Sequence, residues 1–333
     1  MRTIAAILSF GWMIGLGAGV AAQTSGRVAE LRPCSLPSGA NIEVCRIGYR
    51  TFGQKRGNNA VLVPTWLGGT SSDWRGLLGP DRLIDTTVYY VMVIDALGNG
   101  ISSSPSNTSG FPQVSIEDMV ETQYRLAREA LRIDHLRAVV GVSMGGIQTF
   151  EWSVAHPDFV DRFVSIVGSP QMARHDRAWL QTMVRLFGIG ETYHVPQDSV
   201  WRMFAGVGLL IQDVQETINQ RSPAEADSLL AAAATEWSKT LKPDDFVLQA
   251  RAILAYHFYG RPGSDSPAIT DRLRGRFMVV NSPDDRLVSA GPALSIARRL
   301  GLDTLVVRSP CGHAVFACEA HAIGASIGSF LAR

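Results

Sequence analysis

Short apolar runs alternate along this chain with longer stretches of helical periodicity. Residues Ile42–Phe52 alternate roughly between apolar and polar and predict a strand, with a turn signalled before it by Pro37-Ser38-Gly39. Continuous apolar runs at Val61–Val63, Val88–Ile94, Leu136–Val142 and Phe163–Val167 predict short buried strands. Between them, Ile116–Leu131 carries apolar residues at helical spacing, with Ser115 placed to cap its first turn. Strands that are apolar throughout and separated by amphipathic helices predict a parallel sheet, because crossover helices must cover both of its faces.

The rhythm stops near Gln171. From there to Ser266 the pattern is helical, over Trp179–Phe187, Val200–Ile218, Pro223–Lys239 and Asp245–Tyr259. Strands resume at Phe277–Val280 and Thr304–Val307, and a last helix is predicted from about Ala314 to Leu331. The expected organisation is an α/β core in two parts, residues 23–170 and 267–333, interrupted by a helical lid insertion at 171–266. Within that insertion Trp179, Phe187, Trp201, Met203 and Phe204 are candidates for lid core or pocket wall, and helical spacing favours core for most.

Residues 1–22 stand outside this pattern. Arg2 precedes an apolar run from Ile4 to Val20, and Val20-Ala21-Ala22 offers the small residues of a signal-peptidase site. A cleaved signal peptide is expected, and with it a secreted or periplasmic protein. The run is short and glycine-broken for a membrane anchor, so no stable membrane insertion is expected after cleavage. Cysteine usage agrees. The four cysteines form two sequence-local pairs, Cys34 with Cys45 and Cys311 with Cys318, and two local disulfides are the most economical of the three connectivities. Neither pair has the tight spacing of structural zinc ligands, and no metal is expected.

Composition narrows the partners. Of 333 residues, 46% are hydrophobic and 18% charged, which suits a packed core, and the formal net charge of +1 offers no concentrated basic field for nucleic acid. The chemistry lies elsewhere. Gly141-Val142-Ser143-Met144-Gly145 follows an apolar strand and precedes a helix, which is the strand–sharp turn–helix context of a nucleophile elbow. Gly324-Ala325-Ser326-Ile327-Gly328 has the same spacing but lies inside the predicted last helix, with no strand before it. Ser143 is therefore the candidate nucleophile.

A serine hydroxyl needs a base to take its proton, and the base needs a carboxylate to fix its tautomer. In an elbow fold both follow the serine, each on a loop after a late strand. Of seven histidines, only His313 lies on such a loop. His135 precedes a strand, and His156 ends the helix after the elbow. His175, His194 and His257 fall in the insertion, and His321 lies on the last helix. The loop after Phe277–Val280 holds two acids, Asp284 and Asp285, of which Asp285 is preferred. The oxyanion donors are expected to be the backbone N–H of Met144 and one from the loop Thr65-Trp66-Leu67-Gly68-Gly69.

These motifs resemble the homoserine O-acetyltransferase branch of the α/β hydrolases. The likeness is carried by Gly141-Val142-Ser143-Met144-Gly145-Gly146, Glu151-Trp152 and His156-Pro157, by Phe111-Pro112 with Ile116-Glu117-Asp118-Met119-Val120, and by Asp285-Arg286-Leu287 and Gly312-His313. Ile84-Asp85-Thr86, Tyr89-Tyr90-Val91 and Leu97-Gly98 extend it before the elbow. The resemblance implies the α/β-hydrolase fold and the triad Ser143, Asp285 and His313. It also implies Leu67 as the second oxyanion donor, with Trp66 as the fallback. Two departures matter. The family's histidine is usually followed by an aspartate that serves the homoserine, and here Ala314 follows. The family's lid carries an arginine for the substrate carboxylate. Asp213 stands near that place, and no arginine lies between Arg202 and Arg221.

The expectation is a secreted serine hydrolase acting on a small-molecule ester or acyl substrate, with no cofactor. An O-acyltransferase using the same acyl-enzyme is the alternative. A non-catalytic binding protein on a hydrolase fold would need a broken triad, and the sequence offers an intact one. Oligomeric state has no signature in the sequence.

Overall fold

A computed structural model describes residues 25–212, 218–261 and 267–333. The predicted signal peptide, Asp213 and the end of the predicted insertion, residues 262–266, lie outside the described residues.

Eight strands form one sheet in the order β1-β4-β6-β5-β7-β8-β9-β10. They are β1 (Arg27–Leu31), β4 (Cys45–Phe52), β5 (Ala60–Pro64), β6 (Tyr90–Ile94), β7 (Leu136–Val142), β8 (Val160–Ile166), β9 (Phe277–Asn281) and β10 (Asp303–Val306). The six from β6 to β10 run parallel, while β4 pairs antiparallel with both β1 and β6. The sheet is thus mostly parallel, as expected, with an antiparallel edge. Strand β1 carried no clear apolar run and went unread, because on this edge Arg27, Val28 and Glu30 are exposed.

Each central strand divides its side chains between two layers, as a pleat of period two requires. Leu62, Met92, Val139, Phe163, Phe277 and Val279 face one core. Val61, Val63, Val91, Val93, Val140, Val164 and Val280 face the other. The first core is covered by α1 (Ile116–Arg125) and α2 (Met144–Ala155). Ser115 caps α1 as expected, through a capping box in which the Asp118 carboxylate accepts the Ser115 N–H at 2.9 Å. The same carboxylate accepts Ser38 N–H at 2.9 Å, so this cap also pins the N-terminal hairpin of β2 (Cys34–Ser35) and β3 (Asn41–Ile42). The second core is covered by the C-terminal helix, through Ile323, Ile327 and Phe330, and by Trp74.

Several boundaries differ from the sequence reading for physical reasons. The first predicted strand breaks into β3 and β4, because Ile42 pairs with Cys34 in the hairpin while Cys45 pairs with Leu31 in the main sheet. Val88 leaves its predicted strand and is 54% exposed. Its N–H and that of Tyr89 both close a turn on the Asp85 carbonyl. The helix predicted at Ile116–Leu131 is α-helical only to Arg125 and continues as a π turn over Leu126–Ala130. The predicted last helix is three pieces: a 3-10 turn at Gly312–Ala314, a short helix at Val315–Cys318 and a long one at Ala320–Ala332. The disulfide from Cys311 to Cys318 ties the short helix back onto its own loop, and the chain bends by 75° after it. Cys34 and Cys45 form the second disulfide.

Between β8 and β9 the chain forms α3 (Arg174–Thr192), α4 (Gln197–Gln212), α5 (Pro223–Thr240) and α6 (Pro243–Ala255). Entry and exit are paired, since Gln171 bridges His257 and Phe258 N–H donates to Pro170 O at 2.9 Å. The four helices share an aromatic core in which Phe204 lies 5.0–5.6 Å from the rings of Phe187, Trp201, Trp237 and Phe246. Such ring pairs add about 1 kcal/mol each beyond the area they bury. Of the five apolar residues singled out, Trp201 and Phe204 are buried here and Phe187 packs on them, whereas Met203 is 42% exposed. Trp179 turns away, and its indole N–H donates to Leu287 O at 2.9 Å, joining α3 to the loop after β9.

Candidate active site

Strand β7 ends at Val142 and α2 begins at Met144, so Ser143 alone makes the turn, with φ 56° and ψ −121°. This left-handed conformation is costly for a residue with a Cβ, and neighbouring glycines permit it. A Cβ on Gly141 would run into the Gly145 carbonyl, and one on Gly145 would stand 2.5 Å from Pro64 O. The turn is held by Ser143 N–H donating to Ile166 O at 2.9 Å and by Ile147 N–H donating to Ser143 O at 3.0 Å. Ser143 is thereby raised at the carboxyl end of the sheet, half-buried rather than enclosed.

The loops after β9 and β10 converge on it. His313 Nε2 lies 3.0 Å from Ser143 Oγ, and His313 Nδ1 lies 2.7 Å from Asp285 Oδ2. The other Asp285 oxygen accepts the N–H groups of Leu287 and Val288 at 2.8 and 2.9 Å, and its side chain is fully buried. A carboxylate so held cannot turn away from the imidazole. Asp284 points elsewhere. Its Oδ2 accepts Ser309 N–H at 3.2 Å, and its Oδ1 lies 3.7 Å from the exposed Arg308. It ties the loop of the acid to the loop of the histidine.

The remaining histidines have other partners. His135 contacts Asp161 at 2.7 Å, His156 stacks on Tyr124 with centroids 3.8 Å apart, and His257 Nδ1 accepts Gly260 N–H at 3.1 Å. His175 lies 3.3 Å from Asp176, while His194 and His321 are exposed. Ser326, in the decoy motif, donates to Ala322 O within its helix.

The loop after β5 is held by several backbone hydrogen bonds. Thr65 N–H donates to Ile94 O at 3.2 Å, Gly68 N–H to Gln249 Oε1 at 2.9 Å, and Gly69 N–H to Trp66 O at 3.0 Å. Gly69 O accepts Asn99 Nδ2 at 3.0 Å. Asp95, buried at the end of β6, accepts Ser71 and Asn99 at 2.7–3.0 Å. Burial pushes its carboxyl above the usual range, against the hydrogen bonds from Ser71 and Asn99 and the charge of Arg50. Among the described residues, the N–H groups of Leu67 and Met144 have no hydrogen-bond partner. Backbone donors left open in this way are the kind of group that a developing oxyanion requires.

Several residues that organise this site were not singled out from the sequence. Asp176 on α3 accepts Ser289 N–H and Oγ–H at 2.9 and 2.7 Å, capping the helix Ala290–Leu300 that follows the acid loop. Gln249 on α6 also donates to Leu97 O at 3.1 Å. Glu151 on α2 pairs at 2.8 Å with Arg261, which also meets Glu117 at 3.3 Å. Burial raises the Glu151 pKa to about 7, with Glu117 adding to the rise and Arg261 opposing it. The available signal was the cluster of polar residues Gln148, Thr149, Glu151 and Ser153 within the mostly apolar α2, all of them buried.

The alpha/beta hydrolase fold family matches the chain over residues 59–320. An ethyl acetate hydrolase from Pseudomonas veronii is 37% identical over 164 residues, covering 46% of this chain and 47% of that protein. The chain thus matches about half the length of that relative. A homoserine O-acetyltransferase from Leifsonia xyli subsp. xyli is 28% identical, with 90% of this chain and 88% of that protein covered. The crystal structure of an acetylester hydrolase from Corynebacterium glutamicum superposes with a TM-score of 0.79 at 26% identity, covering 92% of this chain and 95% of that one.

Proposed function

Because the chain belongs to the α/β-hydrolase fold family, in its homoserine O-acetyltransferase-like branch, we propose that it hydrolyses a small neutral ester, an acetyl ester first, through an acyl-enzyme on Ser143. The observation that carries the proposal is the relay Ser143–His313–Asp285, with its contacts of 3.0 and 2.7 Å. The names of the esterase relatives supply the acetyl group.

In this reading His313 Nε2 takes the Ser143 proton as Oγ attacks the ester carbonyl. Asp285 keeps the other ring nitrogen protonated and stabilises the imidazolium. The N–H groups of Leu67 and Met144 receive the oxyanion, each worth roughly 3–4 kcal/mol in such sites. The tetrahedral intermediate expels the alcohol, which leaves with the proton from His313. Water then attacks the acyl-enzyme with His313 again as base, and the acid is released as Ser143 regains its proton.

Water is favoured over homoserine as acceptor by what the site lacks. Ala314 offers no carboxylate to an ammonium, and no arginine lies between Arg202 and Arg221 to meet a carboxylate. A zwitterion without these partners would cost several kcal/mol per charge to enclose. O-acyl transfer is the second reading, favoured by the acetyltransferase relative that aligns with 90% of the chain. An intact relay argues against a merely binding role. We read α3 to α6 as a lid over the serine. Trp179 on α3 reaches the acid loop, Gln249 on α6 reaches the loop of Leu67, and both observations support that reading. The signal pattern of residues 1–22 and two disulfides support export, which would remove the protein from cytoplasmic acyl-CoA.

The deciding assay gives the mature protein a panel of acyl esters, with and without acceptor alcohols, and acetyl-CoA with homoserine. Acetate release from neutral esters at a rate independent of added alcohol is expected. Faster acetyl transfer from acetyl-CoA to homoserine than hydrolysis of any ester would overturn the hydrolase reading.

A further inference from the structure

Gln148 lies one turn beyond Met144 on α2 and is fully buried. Its Nε2 donates to Thr65 O at 3.1 Å and to Met144 O at 3.2 Å. Its Oε1 accepts Gln123 Nε2 at 2.5 Å, and Gln123 Oε1 accepts the Trp152 indole N–H at 2.9 Å. Gln123 and Trp152 are equally buried. The direction of this chain is fixed by its two ends. An indole N–H can only donate and a backbone carbonyl can only accept, so each amide between them has one orientation that satisfies both neighbours. The hydrogen bonds therefore run one way, from Trp152 through Gln123 and Gln148 to Thr65.

Thr65 opens the loop that carries Leu67, and Met144 opens α2. A single amide thus holds a carbonyl one peptide unit before the Leu67 N–H and the carbonyl of Met144 itself, the residue of the other candidate donor. We propose that Gln148 is a positioning residue for the oxyanion hole, clamping the Leu67 loop to the start of α2 and oriented by Gln123 and Trp152. This rests on the proposed acyl-enzyme chemistry at Ser143. A chain of buried hydrogen bonds polarises its members and resists rearrangement, because any broken link leaves a polar group without water. An ester gains its oxyanion bonds only as the carbonyl oxygen becomes negative, so loosening this clamp should raise the barrier without weakening ground-state binding.

The test is the rate ratio between an acetyl ester and its thionoester analogue, in which C=S replaces C=O. Sulfur accepts hydrogen bonds weakly, so an oxyanion hole favours the oxygen compound. In Gln148→Met, kcat for the ester should fall roughly ten- to a hundredfold with KM little changed, as small misplacements in such sites cost up to about a hundredfold. The ester-to-thionoester ratio should fall with it. A variant that merely loses folded protein loses both rates equally and keeps the wild-type ratio. Trp152→Phe removes the far donor without touching Gln148, and should lower the ratio in the same direction by less. That second variant decides the matter if Gln148→Met does not fold. Wild-type ratios in folded variants would overturn the inference. Absence of Ser143 acylation in the wild type would instead overturn the acyl-enzyme reading beneath it.

Discussion

The bridge between Cys311 and Cys318 closes a loop of sequence separation 7 around His313. On the chain-entropy relation this closure is worth about 2.4 kcal/mol at room temperature. The loop has other anchors. Val315 and Phe316 are buried in the second core, Ser309 N–H is held by Asp284, and Ser309 Oγ donates to Glu319 at 3.2 Å. Replacing both cysteines by alanine should therefore leave His313 in place on average but let residues 309–319 open more often. A loss of about 2.4 kcal/mol corresponds to roughly a fiftyfold rise in opening, if all of it falls on this local unit. Cys318 is exposed, so a mild reductant should act in the same direction. The assay is hydrogen exchange read by mass spectrometry on peptides spanning 309–319, alongside esterase activity on heating. Faster exchange in that segment, by up to about fiftyfold, and loss of activity before global unfolding are expected. The buried pair Cys34–Cys45, with a separation of 11, is the control: its removal costs about 2.8 kcal/mol globally and leaves the His313 loop as protected as before, relative to the rest. Equal protection of 309–319 with and without the Cys311–Cys318 bridge would refute the reasoning.

Asp285→Asn should lower kcat by roughly 10⁴, by presenting the wrong tautomer of His313, whereas Asp284→Asn should cost less than about tenfold; steady-state kinetics on one ester separates them. Glu151 predicts a pH dependence of stability. Its pKa is raised from 4.5 to about 7, so its full contribution is present below pH 4.5 and is lost as pH rises through 7. That difference amounts to about 3 kcal/mol, and Glu151→Gln should flatten the denaturation midpoint between pH 5 and pH 8; an unchanged slope would count against it.

Much of the fold was legible because its central strands are apolar on both faces, a pattern that β5, β7 and β9 carry in a few residues each. The strand–turn–helix context of the proposed nucleophile was legible, since of the two G-x-S-x-G serines Ser143 joins a strand to a helix and Ser326 does not. The acid was less so. Asp284 and Asp285 are adjacent on a loop, and which one turns inward depends on the N–H groups of Leu287 and Val288 that receive it. The edge strand β1 was missed because one-sided burial on an edge leaves no apolar run. Gln148, Gln123 and Asp176 were missed because their importance lies in partners more than twenty residues away. The bend after Cys318 escaped a periodicity reading, which sees one continuous apolar helix through Leu331.

The proposed chemistry turns on a covalent step at one atom, Ser143 Oγ. Mixing the mature protein with 4-nitrophenyl acetate, quenching in acid within the first turnover and mapping the peptides by mass tests that step directly. The predicted result is a burst of nitrophenol and one acetyl group on Ser143, both abolished in Ser143→Ala together with all but a trace of turnover. An unmodified Ser143 in a turning-over enzyme, or a Ser143→Ala variant as fast as the wild type, would contradict it.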